Sequence, residues 1–126
     1  MIRKSFAFAI VLMLAAVVLY AQDSKKSTVK LTGHLIDNMC AGAHSGDEDF
    51  KEEAREHSTS CALMPGCAKS GFSVVAGDKV YKLDETGNKS ALAVLKSTKT
   101  KKGISVEIEG TLEGDTLHVD RLAEVF

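Results

Sequence analysis

Residues 104–125 read ISVEIEGTLEGDTLHVDRLAEV. Ile104, Val106 and Ile108 alternate with Ser105, Glu107 and Glu109. After Gly114-Asp115, Leu117 and Val119 alternate with Thr116, His118 and Asp120. A period of two marks a half-buried strand, so the stretch predicts two strands joined at a glycine-led turn. His118 falls on the outward phase and reads as a solvated side chain.

Upstream the period changes and then returns. In NKSALAVLKSTK (88–99), Ala91, Leu92, Leu95 and Val94 make an apolar stripe at helical spacing, with Asn88 as cap. GFSVVAGDKVYKLD (71–84) has two strand-forming runs around Gly77-Asp78, the pattern of a hairpin. Phe72 and Tyr81 on that hairpin read as core, with a ligand-contact face as the alternative. VKLTGHLID (29–37) alternates again, with Val29, Leu31 and Leu35 in one phase and Lys30, Thr32 and His34 in the other. His34 is therefore expected in solvent. The predicted order is strand, insertion, strand, strand, helix, strand, strand. This is an all-β chain with one or two short helices, and the order matches a small five-stranded OB-like barrel. Gly33 and Gly110, inside strands, would permit its sharp bends. The alternative is an open antiparallel sheet with one packed helix.

The insertion, at about residues 40–69, breaks the alternation. SGDEDFKEEAREHS opens with capping residues and acids suited to a helix start. It predicts one short polar helix from about Asp47 to His57, riding outside the core. Pro65-Gly66 predicts a turn before Cys67.

The chain starts MIRKSFAFAIVLMLAAVVLYAQDS, with Arg3 and Lys4 ahead of an uncharged run from Phe6 to Ala21. That run is shorter than the ~20 residues of a membrane-spanning helix. A basic start, a short apolar run and a small residue at its end describe a secretory signal peptide, residues 1–21. An uncleaved membrane anchor is the other reading. Residues 22–28 are polar and predict a flexible leader before a single domain, 29–126. Cleavage leaves about 105 residues, the usual size of one domain. It also removes two of 16 basic side chains and none of 17 acidic ones, so the mature chain is mildly acidic. The only basic cluster, KSTKTKK (96–102), reads as a solvated helix end and loop, which argues against a nucleic-acid partner. The expected location is the periplasm or the exterior, with no membrane span after cleavage.

Four segments together carry a resemblance: GHLIDNMC, HSTSCALMPGCAKSGFSVV, DKVYKLDETGNKSALAVLK and VEIEGTLEGDTLHV. They resemble a largely uncharacterised group of small exported bacterial proteins with an Asp-x-x-Cys start, a cysteine pair and a glycine-led hairpin. The resemblance covers nearly the whole mature chain. It implies export and a common small β fold, and it transfers no catalytic residue.

The chemistry concentrates in the insertion, which holds all three cysteines, Cys40, Cys61 and Cys67, together with His44 and His57. In an oxidising compartment, a disulfide from Cys40 to Cys61 or Cys67 would tie down the insertion, worth roughly 3 kcal/mol for a loop of that length. That reading gives a disulfide-stapled binding module for a small ligand or a cell-envelope partner. The alternative is a zinc or copper site built from Cys40, His44, His57, Cys61 and Cys67. A thiol-dependent redox enzyme is the third reading. It needs a base and an orienting acid; Asp37, Asp47 and Glu53 are available, and each reads as an ordinary solvated carboxylate. Neither CxxC nor CxxCH occurs, so thioredoxin-type exchange and haem attachment lack their motifs. Met39 and Met64 read as gap-fillers in an apolar pocket, with a copper(I) ligand as the alternative. No catalytic residue is assigned, and an enzyme is the less favoured reading.

Overall fold

The computed structural model describes residues 26–126; the expected signal peptide and the start of the leader lie outside the described residues. The first strand, β1, is Ser27–Asp37. It begins two residues before the predicted Val29, so Ser27 and Thr28 belong to the sheet and not to the leader. Hairpin β2 (Phe72–Ala76) and β3 (Lys79–Leu83) turns at Gly77, whose φ of 61° is the left-handed value glycine tolerates. Hairpin β4 (Ser105–Glu113) and β5 (Thr116–Val125) turns at Gly114, as the alternation predicts.

The two halves of β1 pair differently. Ser27–His34 lies against β4, and His34–Asp37 against β2. β3 pairs in parallel with β5 through Lys82–Thr116 and Leu83–Leu117. Each strand thus has two neighbours, and the single sheet closes on itself in the order β1-β2-β3-β5-β4. Gly33 sits where β1 crosses from one partner to the other. A Cβ there would stand 2.4 Å from the Val75 carbonyl oxygen and 2.6 Å from Val74 Cγ1. Gly110 occupies the irregular register between β4 and β5. Both glycines were expected for sharp bends; what they permit here is close approach of a neighbouring strand.

Helix α5, Glu85–Ser97, connects β3 to β4. It starts earlier than predicted, because Asp84 and not Asn88 is the cap: its Oδ1 accepts from the Gly87 amide at 2.9 Å. The same oxygen accepts from Val119 N at 3.2 Å, which binds the helix start to β5. Asn88 instead uses its carbonyl oxygen to accept from Phe72 N at 2.9 Å. The apolar stripe faces inward as predicted, with Ala91 and Leu95 buried. They join Leu35, Phe72, Val74, Leu83, Ile104, Val106, Ile108, Leu117 and Val119 in the main core. Phe72 is fully core; Tyr81 packs partly buried at its margin.

The insertion departs most from expectation. It contains four short helices: α1 (Asn38–Ala43), α2 (Phe50–Glu56), α3 (Thr59–Ala62) and α4 (Pro65–Ser70). Pro65 starts α4 instead of making a free turn, a position where its fixed φ and missing N–H cost nothing. Nor does the insertion merely ride outside the core. Ala54 of α2 is fully buried against Ile36 and Val75, forming a second cluster with Phe50, Ala41, Cys40 and Val80. The end of β1 is therefore covered on both faces, which accounts for the unbroken burial of Leu35, Ile36 and Asp37. The Lys96–Lys102 stretch is largely exposed, as expected. No helix among the described residues is long and apolar enough to cross a membrane.

Leu95→Ala should cost about 2–5 kcal/mol, the range for a large-to-small change in a packed core. Chemical denaturation measures this directly, and a loss near zero would mean that α5 does not pack as described.

Candidate metal centre

Asp37 is the pivot of the site. It continues the inward phase of Val29, Leu31 and Leu35, and it is fully buried. A buried carboxylate must find donors, because leaving it unsatisfied is costly. One oxygen, Oδ1, caps α1 by accepting from Cys40 N at 2.9 Å. The other, Oδ2, accepts from His57 Nε2 at 2.8 Å. The His57 side chain is itself only 10 % exposed. The reading of Asp37 as an ordinary solvated acid is thereby corrected.

The three cysteines reach this carboxylate by one repeated local device. Each is the third residue of a short helix. Asp37 caps α1 three residues before Cys40; Ser58 caps α3 three residues before Cys61; Pro65 opens α4 two residues before Cys67. The Ser58 hydroxyl accepts from Cys61 N at 3.1 Å, as Asp37 does for Cys40. Ligand atoms of Asp37, Cys40, Cys61 and Cys67 all lie within 4.8 Å of one another. Cys67 is buried, whereas Cys40 and Cys61 are half-buried.

Of the residues expected at a metal site, the structure gathers the three cysteines only. His57 stands one step outside, on the carboxylate. His44 points elsewhere: its Nδ1 bonds exposed Asp47 at 3.0 Å. Asp37 takes the place expected of a histidine. Glu53 is exposed on α2. His34, expected in solvent, is partly buried with Nδ1 at 3.2 Å from the Gly103 carbonyl. His118 is exposed as predicted, beside Glu113 at 3.1 Å. Met39 and Met64 do not fill an apolar pocket; each is 56 % exposed.

All three thiols are unbridged, so the expected staple is not formed in this structure. Two of the thiols, Cys40 and Cys67, are also poor nucleophiles as they stand. Burial, then the Asp37 charge and hydrogen bond, then Cys61, push the Cys40 thiol up to about 12. Burial and the same two neighbours raise Cys67. A reactive cysteine needs the opposite shift. A bound cation would reverse this environment, because a coordinating thiol is deprotonated outright.

No family model, no curated protein and no solved structure matches this chain.

The raised thiol makes alkaline pH a test of the metal-free site. Below about 9, Cys40 is protonated in both the folded and the unfolded chain. Between about 9 and about 12 the unfolded chain releases that proton while the folded chain keeps it, so stability falls as pH rises. Urea midpoints across this window should drop more steeply for the native sequence than for Cys40→Ser. Equal slopes would show that Cys40 is not shielded as described.

Proposed function

We propose that this chain is an exported, OB-like barrel that binds a thiophilic metal ion, zinc foremost, through Asp37, Cys40, Cys61 and Cys67. One observation carries the reading: four potential ligand atoms from four separated positions converge within 4.8 Å. Zinc accepts thiolate and carboxylate ligands in a tetrahedron, with zinc–sulfur bonds near 2.3 Å and hence sulfur–sulfur edges of ~3.8 Å. The ligand atoms need to draw together by no more than about 1 Å to reach it. Copper(I) favours wholly soft ligand sets, so the buried carboxylate argues for zinc over copper.

The surroundings support the same reading. His57 on Asp37 is the kind of outer partner that orients a ligating carboxylate. Four protein ligands leave no open position, which is the pattern of a structural or storage site and not of a catalytic one. The ion would join α1, α3 and α4 to the end of β1, the task a disulfide was expected to perform. It would also protect three thiols in an oxidising compartment. The raised thiols speak against the redox-enzyme reading.

For the barrel, support comes from the closed strand order, the parallel β3–β5 pairing and the position of α5 between β3 and β4. For export, it comes from the basic start and the apolar run from Phe6 to Ala21.

Protein purified under reducing conditions should retain one zinc per chain in native mass spectrometry, and a chelator should lower its melting temperature. Asp37→Ala and Cys67→Ser should abolish retention. His57→Ala should weaken affinity by about 10- to 100-fold, as loss of an outer partner does. His44→Ala should leave affinity unchanged. A chain that takes up no zinc, and melts identically with and without chelator, overturns the reading.

A further inference from the structure

The metal cluster contains more thiols than a single disulfide can use, and they are not equivalent. Cys61 is a close neighbour of both Cys40 and Cys67, near enough to help raise each of them. Cys40 and Cys61 are half-buried and open to a small oxidant; Cys67 is buried at 7 % exposure. All sulfurs lie within 4.8 Å of one another, so a bond near 2.05 Å requires only a local shift. Cys40 sits on α1 and Cys61 on α3, both short helices.

We propose that the cluster is a reversible oxidation site, in which a disulfide oxidant joins Cys40 to Cys61 and thereby expels the metal. The inference rests on the metal reading above. The electrons balance in two exchanges. The Cys61 thiolate attacks a sulfur of the oxidant disulfide, forming a mixed disulfide and releasing one thiolate. The Cys40 thiolate then attacks the Cys61 sulfur and releases the second. Two electrons pass to the oxidant, whose two thiolates take protons from solvent. The zinc loses two of its four ligands and leaves as the divalent ion, and Cys67 stays reduced in the interior. Reduction by a dithiol reverses each step and restores the site.

The site therefore has two alternative closures, one by metal and one by a covalent bond. Either can hold α1 and α3 together at the foot of the insertion. A barrel whose second layer depends on this junction keeps its fold in both states while its metal content reports the oxidant.

Zinc-loaded native protein treated with oxidised glutathione provides the test. Zinc release is followed with a chromogenic chelator, thiols are counted, and peptides are mapped without reduction after alkylation. The expected result is one zinc released per two thiols lost, a Cys40–Cys61 cross-link, alkylated Cys67, and full zinc rebinding after dithiothreitol. Cys67→Ser, tested without zinc because it should not retain the ion, should still form the cross-link, and Cys40→Ser should not lose two thiols. Zinc that is retained while thiols are lost, zinc released without thiol loss, or a bridge between Cys61 and Cys67 overturns the switch alone. A chain that holds no zinc before oxidant is added overturns the metal reading and the switch with it.

Discussion

A fully buried carboxylate at the end of a strand constrains everything around it. Asp37 closes β1 on the inward phase, where an apolar side chain would cause no difficulty. Because it is Asp, both oxygens must be satisfied inside the protein. Oδ1 starts a helix by capping it, and Oδ2 draws in His57 from twenty residues away. The first contact turns the chain from strand to helix at once and sets Cys40 beside the carboxylate. The second returns the far side of the insertion to the same point, just before the Ser58 cap of α3. These two hydrogen bonds place Cys40 and His57, while the Ser58 cap and Pro65 set the helices that carry Cys61 and Cys67.

The insertion also completes the burial of the sheet. A closed five-stranded sheet of this size has a narrow interior, and small domains bury too little surface to be robust. Here the end of β1 and β2 gain a second apolar layer from α1 and α2, through Ile36, Val75 and Ala54. The ligand cluster lies where the two layers meet. An ion or a covalent bond at that junction acts on the core as a whole and not on a peripheral loop.

Electrostatics gives the cluster its character. Three thiols and a carboxylate share a small, partly dry space, in which burial, Asp37 and Cys61 disfavour ionisation of Cys40 and Cys67. The crowding is relieved when a cation shares the charge or when two sulfurs bond to each other. Without such relief, Cys40 and Cys67 are ill suited to supplying a free thiolate.

The strands were legible in the sequence because alternation is a local record of which side faces the core. Ile104, Val106 and Ile108, and likewise Leu117 and Val119, are buried as their spacing implies, and both hairpin turns fall at the glycines that mark them. The stripe through Ala91 and Leu95 was legible for the same reason. Local signals misplaced the start of α5, because Asp84 and Asn88 are both good caps and only the approach of β5 and Phe72 decides between them. Three of the four insertion helices are too short to show a period. Asp37 carried one readable sign, its place in the inward phase of β1, but an acid in that phase has no meaning until its donors are known. Those donors arrive from distant positions in the chain. Sequence by itself determined which residues could bind a metal or a sulfur. The tertiary structure alone decided that Asp37 joins the three cysteines and that His44 does not, because ligand sets are fixed by where the chain returns in space.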